Sequence, residues 1–297
     1  MNSNTVILAG ATGDLGERIG RALLRKGATV RAVVRPGTLQ DKIRHLKTLG
    51  FTLAESGYDV PSLTACFDGA TCVVSALNGL DDVIIGQQGA LLDAAVAAGV
   101  PRFIPSDFSL DYTRTRPGEN RNMDLRRTFR ARLDAAPIRA TSVLNGAFST
   151  VLTDDAPILL PRVRRVLHWE DAHQPLDFTT KDDVADFTAD VALDPDAPRD
   201  LRIAGGSASA TELAAIASAL SGQRYRTMRA GGMGRLGALI RLTQRLAPAK
   251  GDVFPVWQGM QYLRDMMSGR GQLMANDNAR YGKADWTAIH TMMSGRV

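Results

Sequence analysis

Cysteine, lysine and aromatic residues are scarce in this chain, and each shortage removes a class of function. Only two cysteines, Cys66 and Cys72, occur in 297 residues. They cannot staple a secreted disulfide framework, and neither has a His or Cys neighbour at metal-ligand spacing, so no metal site is expected. A reducing, cytoplasmic setting is the reading that follows. No apolar run approaches the roughly 18–20 residues of a membrane span, and no membrane partner is expected. The N-terminus passes from Met1 into Val6-Ile7-Leu8-Ala9 with no basic segment or cleavage site, so it reads as a first strand and not as a signal peptide. The net charge of +5 comes from 36 basic and 31 acidic residues. Six of the basic residues are lysines (Lys26, Lys42, Lys47, Lys181, Lys250 and Lys283), so the excess is arginine. No basic run with interleaved aromatics occurs, and no nucleic-acid partner is expected. The mild excess suits an anionic cofactor. Two absences are local: residues 18–40 hold no Asp or Glu, and residues 48–180 hold no lysine.

What is present is the composition of an ordinary globular protein, 44% hydrophobic and 23% charged, long enough for a large core. Strand and helix signals alternate through the first half, the pattern of a parallel sheet wrapped by helices. Strands are predicted at Thr5–Ala9, Thr29–Val34, Phe51–Ala54, Cys72–Leu77, Arg102–Pro105 and Ala140–Leu144. Helices are predicted at Leu15–Lys26, around Ser62–Phe67, at Val83–Ala98 and at Asn122–Ala136. Beyond Asn145 the alternation loosens, with Pro157, Pro161 and Pro175 interrupting it. Helices at Asp182–Leu193 and Thr211–Leu220, a strand at Leu201–Ala204 and a basic amphipathic stretch from Arg235 to Leu246 follow. That stretch reads as a cover over a substrate pocket, with a membrane-surface helix as the alternative. The expected fold is therefore α/β: a Rossmann-type doubly wound parallel sheet with a smaller C-terminal α/β substrate-side domain. The first domain would span 1–150, with part of 177–200 returning to it, and the second 151–297.

The loop Gly10-Ala11-Thr12-Gly13-Asp14-Leu15-Gly16 follows a strand and opens a helix, the context that gives a glycine motif meaning. Gly10 permits the turn, Gly13 lets backbone approach a pyrophosphate, and Gly16 lets helix pack on strand. The free N–H groups and positive dipole of the helix start attract phosphates. A site for NAD(H) ordinarily ends its second strand in a carboxylate on the ribose 2′-hydroxyl. Here that strand ends Val33-Val34-Arg35, and Arg35 suits a 2′-phosphate, with Lys42 as a second charge. NADP(H) is the expected cofactor. Solvated surface positions are the alternative for both residues.

With these residues, the chain resembles the NmrA-like and isoflavone reductase-like group of atypical short-chain dehydrogenase/reductases. The match runs through the glycine loop, Val73-Val74-Ser75-Ala76-Leu77, Gln88, Arg102-Phe103-Ile104-Pro105-Ser106-Asp107-Phe108 and Ile138-Arg139-Ala140-Thr141. It continues through Asn145-Gly146-Ala147-Phe148 and Asp177–Ala185. The resemblance implies NADPH-dependent reduction of small aromatic, phenolic or carbonyl compounds. It also implies a lysine on the helix before the sixth strand, where this chain has Arg126. An arginine stays protonated and cannot serve as a general base. The Tyr-x-x-x-Lys pair of ordinary short-chain dehydrogenases is absent too: Tyr112 has Arg116 at that spacing. Arg126 is left to hold a substrate carboxylate or polarise a carbonyl, or else to pack its stem on the helix edge. The proton would come from water, Tyr112 or a histidine. Ligands bind at the carboxyl ends of such strands. Ser75, Ala76, Ser106 and Asn145 are accordingly expected at the cofactor, with Asp107, Phe108, Gly146 and Phe148 at the substrate. For Asp107, a turn cap is the alternative. Two functions stay open: an NADPH-dependent reductase, and a non-catalytic NAD(P)(H)-sensing regulator that binds a protein partner. A homodimer is compatible with either.

Overall fold

The computed structural model describes residues 4–152, 158–249 and 251–297, so Pro157 and Lys250 fall outside the description. The chain divides into two compact units of similar length. The first comprises Met1–Phe108, Leu125–Val143 and Lys181–Leu201, and the second Ser109–Asp124, Leu144–Thr180 and Arg202–Val297. Among the described residues no helix is long and apolar enough to cross a membrane.

Six parallel strands form the first unit's sheet, in the order β3-β2-β1-β4-β5-β6. They are β1 (Thr5–Ala9), β2 (Thr29–Val34), β3 (Thr52–Glu55), β4 (Cys72–Ser75), β5 (Arg102–Ile104) and β6 (Arg139–Ala140). The order reverses between β1 and β4, the arrangement of a Rossmann-type doubly wound sheet. Val6–Ala9 are wholly buried, which is why that strand is apolar at successive positions instead of at alternate ones. Helix α1 (Asp14–Arg25) follows β1 and buries Gly16, Ile19, Gly20, Ala22 and Leu23. A Cβ at Gly20 would overlap the Phe51 ring. The helix stops where Gly27 turns to φ +81 and donates its N–H to the Leu24 carbonyl at 3.0 Å.

Helix α2 (Gln40–Thr48) was not anticipated from the sequence; Leu46 is its one buried residue, so it has no apolar stripe to read. Helix α3 (Val60–Cys66) is capped by Asp59, whose side chain accepts from the Ser62 N–H at 2.9 Å. The helix expected at Val83–Ala98 begins instead as a π-helical turn, Asp82–Gln87, before α4 (Gln88–Ala97). Helix α5 (Arg121–Asp134) precedes β6. The strand expected at Ala140–Leu144 is split: Arg139–Ala140 completes the large sheet, and β7 (Ser142–Leu144) pairs with β12 (Asp200–Arg202). Helix α6 (Lys181–Leu193) returns to this unit and packs along α1, burying Val184, Phe187 and Val191. The ion pair of Lys26 with Asp190, at 2.9 Å, joins their C-terminal ends.

The second unit contains two three-stranded sheets. In one, β10 (Arg165–Trp169) lies between β14 (Arg226–Gly231) and β9 (Leu159–Leu160). In the other, β11 (Leu176–Thr179) lies between β13 (Gly206–Ala208) and β8 (Ala147–Phe148). The helices are α7 (Ala210–Ser221), α8 (Met233–Leu246), α9 (Val256–Met267) and α10 (Ile289–Met293). Ser209 and Glu212 form a reciprocal capping box on α7, and Gly222 ends it at φ +66. Trp169, Phe178, Leu213, Leu236, Leu263, Met266 and Met293 belong to one apolar cluster.

A polar cluster is buried in the second unit. Asn120 donates to Asp265 Oδ2 at 2.7 Å and accepts from Gln258 at 2.8 Å. Burial pushes the Asp265 carboxyl up to about 6, against the opposing pull of Asn120 and Arg264. The folded chain thus holds this proton more tightly than the unfolded chain. The resulting contribution to stability is complete below the ordinary carboxylate pKa and is lost as pH rises through about 6. We expect Asp265→Asn to be more stable than the parent at pH 8, by about 1–3 kcal/mol, with the difference shrinking towards zero near pH 4. Urea unfolding at the two pH values measures it.

Candidate functional site

The first unit carries the glycine loop at the carboxyl end of β1, beside the end of β4. Two of its three glycines are required by the chain's own packing. At Gly10, with φ +84, a Cβ would lie 2.6 Å from the Ala76 carbonyl oxygen. At Gly16 a Cβ would overlap the carbonyl oxygen of Gly10. Gly13 is different. Its backbone is extended, φ −94 and ψ 161, and the nearest atom to a Cβ there would be Gly10's oxygen at 3.4 Å, at van der Waals contact. Nothing inside the chain demands a glycine at 13, whereas a ligand laid on the backbone would. Thr12, Gly13 and Asp14 are exposed, and no side chain caps α1, so the helix start is open to an anion. Ser75, fully buried at the end of β4, has no hydrogen-bond partner for its hydroxyl. The residues present fit a dinucleotide phosphate at this loop.

Asp14 stands in the first turn of α1, a position that would repel a phosphate. It is neutralised locally: Lys181 Nζ lies 2.8 Å from Oδ2, and Arg18 Nε 2.6 Å from Oδ1. Their hydrogen bonds, Lys181's first, hold the Asp14 carboxyl below its ordinary range. Arg18 is also paired with Asp182. In the sequence Lys181 is one of six lysines and part of the Asp177–Ala185 match, with nothing to tie it to Asp14. No local signal links residues 167 apart, and only the packing of α6 on α1 brings them together.

Arg35 follows β2 and is exposed; so is Lys42, in the first turn of α2. The charge of Arg35 acts on Tyr58, a residue missed in the sequence reading, at φ +67 after β3. Burial pushes the Tyr58 hydroxyl up to about 12, with Arg35 opposing. A tyrosine in the left-handed region is the signal that only coordinates reveal.

The segment after β5 is buried throughout. Ser106 donates its hydroxyl to the Leu77 carbonyl at 2.5 Å, and its N–H goes to Gln88 Oε1 at 2.9 Å. Asp107 Oδ2 accepts from the Ser142 hydroxyl at 2.6 Å, and Arg199 donates to that hydroxyl at 2.7 Å. Arg126 lies within the buried face of α5, only 7% exposed, and its Nε donates to the Ser106 carbonyl at 3.1 Å. Arg126, Ser106 and Gln88 are thus joined through the backbone of one residue. Phe108 is 6% exposed.

In the second unit, Asn145 donates its N–H to the Ser109 carbonyl at 2.9 Å, and its carbonyl accepts from Thr179 at 2.7 Å. Both polar atoms of its buried side chain lack partners. Gly146 has φ +65, and a Cβ there would lie 2.6 Å from the Asp177 carbonyl, so packing already explains that glycine. Phe148, in β8, is half-buried. Tyr112 is completely buried among Met123, Leu144, Ala204 and Leu273. His168 is buried on β10, and burial, then the charge of Arg229, lowers its pKa. It is therefore neutral at pH 7.

The sheet order and the loop define a Rossmann-type domain with an open helix start after its first strand. Residues 2–231 match the model of the NmrA-like family, and the chain belongs to that family. It is 30% identical over 207 residues to pinoresinol reductase 1 of Arabidopsis thaliana, a match covering 64% of this chain and 65% of that one. The chain therefore spans just under two thirds of the length of this curated relative. Its fold is similar to that of a crystallised isoflavone reductase, with TM-score 0.84, 20% identity and coverage of 99% of this chain and 100% of that one. The binary complex of leucoanthocyanidin reductase with NADPH from Vitis vinifera gives TM-score 0.80, 18% identity and 97% coverage of each chain.

The contrast between the glycines is testable. Gly16→Ala should destabilise the protein by about 1–3 kcal/mol through overpacking. Gly13→Ala should stay within about 0.5 kcal/mol of the parent yet lose dinucleotide affinity. Thermal unfolding without ligand and calorimetry with NADP+ separate the two.

Proposed function

We propose that the chain is an NADPH-dependent reductase of small aromatic or carbonyl compounds. The observation that carries this reading is the glycine at position 13, which the fold does not need and a pyrophosphate does, on an open helix start. Arg35 after β2, with no carboxylate in residues 18–40, supports NADP(H) over NAD(H). The names of the relatives support the substrate class: pinoresinol reductase, isoflavone reductase, leucoanthocyanidin reductase. We assign cofactor binding to the first unit and the substrate side to the second. The two cysteines are free, consistent with a reducing, cytoplasmic location.

When bound, NADPH supplies a hydride. The chain's residues supply position and charge. Gly10, Thr12, Gly13, Leu15 and Gly16 present backbone to the phosphates, and Ser75, Ala76 and Ser106 lie at strand ends where the rest of the dinucleotide is laid. Asn145, with both side-chain polar atoms unpartnered, is available to a carboxamide or a substrate oxygen. Arg126 is fixed to the Ser106 carbonyl and stays charged, so it stabilises negative charge developing on a substrate oxygen instead of exchanging a proton. The hydroxyl of Tyr112 is out of reach of solvent, and His168 is uncharged, so this reading takes the proton from water. Hydride transfer itself depends on placement more than on a side-chain acid.

The test is calorimetry with NADPH and NADP+, followed by measurement of NADPH consumption on quinones, aromatic aldehydes and phenylpropanoid ethers. Binding with turnover on one of these classes is expected. Equal, tight binding of both redox states with no turnover on any would sink the reductase reading and leave a sensor. Arg35→Ala should cut the preference for NADP+ over NAD+ by on the order of tenfold or more, through loss of charge-assisted bonds to the 2′-phosphate. An unchanged ratio would mean that another residue reads that phosphate. Arg126→Met should lower kcat/KM by roughly a hundredfold with the NADPH Kd unchanged.

A further inference from the structure

We infer that Lys181, at the first position of α6, is a ligand of the cofactor pyrophosphate, held ready on Asp14 until the dinucleotide arrives. The inference rests on the cofactor reading above and names a residue that neither the glycine motif nor the strand ends would include. Helices α1 and α6 run side by side in the same direction: Lys181 meets Asp14 at one end, and Lys26 meets Asp190 at the other. Both N-termini therefore lie at the glycine loop, and their partial positive charges add there. Asp14 is the residue immediately after Gly13, the position that the chain leaves bare for a ligand. The Lys181 ammonium lies 2.8 Å from the side chain of Asp14, the residue next to the bare backbone at Gly13. Its side chain is 30% exposed, so it is neither locked in the core nor dispersed in solvent.

Charge makes the exchange favourable. A doubly negative pyrophosphate approaching Asp14 meets a like charge, and the two cations on Asp14 cancel that repulsion. Arg18 is bound on both sides, to Asp14 and to Asp182, and remains as Asp14's partner when Lys181 leaves. Lys181 then gains a stronger anion while Asp14 keeps Arg18. A lysine suits the move, because its flexible stem and three donors impose no fixed geometry on the phosphate.

Two variants break the same ion pair from opposite ends and give opposite results under this assignment. Lys181→Met should raise the Kd of NADP+ and that of NAD+ by the same factor, about tenfold, since both carry the pyrophosphate. Asp14→Asn should bind both at least as tightly as the parent, because the competing carboxylate is gone and the lysine is kept. Lys181→Arg should restore most of the loss. If Lys181→Met binds both dinucleotides like the parent, the inference falls. It falls equally if Lys181→Met and Asp14→Asn weaken binding alike, since the ion pair would then serve only to clamp α6 to α1. A parent protein that binds neither dinucleotide would overturn the cofactor reading itself. Calorimetry on the full chain, with unfolding midpoints recorded for each variant, gives all of these results.

Discussion

Helix α1 can begin where it does only because Gly16 has no side chain. The Gly10 carbonyl oxygen occupies the space where a Cβ of residue 16 would go. That contact sets the angle at which α1 leaves the sheet, and much follows from it. It keeps Ile19, Ala22 and Leu23 against the strands and brings Gly20 close enough for the Phe51 ring to fill the space above it. It also aims the uncapped helix start at the end of β4, where Ser75 waits with an unpartnered hydroxyl. The two backbone glycines that meet here belong to the fold as much as to the site.

Much of this half was legible in the sequence. Strands β1 and β2 were read to the residue, and α1 to within one, because continuous apolar runs and an amphipathic stripe were bounded by Gly10, Gly13 and Gly27. The misses have a common physical cause. Helix α2 buries one residue, and α9 buries the polar Gln258, Gln261 and Asp265 as well as Trp257, Leu263 and Met266, which obscures its apolar stripe. Strands β10 and β11 are short and interleaved with turns, and the segment containing His168 gave no pattern. The site divides in the same way. The loop and Arg35 are local signals. Lys181 and Tyr58 are not, because one depends on a contact across 167 residues and the other on a left-handed backbone.

Where the family resemblance implies a lysine this chain has Arg126, and on the proposed reading that difference decides what the site can do. An ammonium in a low-dielectric setting can release its proton, whereas a guanidinium cannot. In this chain Arg126 is buried and hydrogen-bonded to backbone, and the Ser106 to which it is tied is held in turn by Gln88 and by the Leu77 carbonyl. As proposed, such a site would keep chemistry that needs only a fixed positive charge, and chemistry that needs a shuttling proton would have to find it in solvent. Under the proposed function, substrates whose reduced form accepts a proton from water without a strong acid, such as quinones and activated aldehydes, would match this constraint better than ethers whose leaving group must be protonated as it departs.

The place of α6 in the chain has a consequence for biogenesis. The sheet's six strands are complete once residue 140 has been made, yet the helix that covers α1 begins only at residue 181. A nascent chain must therefore hold the flank of its first domain uncovered while about forty more residues emerge, a delay of some seconds at ordinary elongation rates. During that interval the flank of α1 that α6 will cover is a surface for chaperones or for misassembly with a second chain. A fragment cut at residue 150 would stay in that state permanently. In this protein the first domain in space is not a segment of sequence that can be expressed alone.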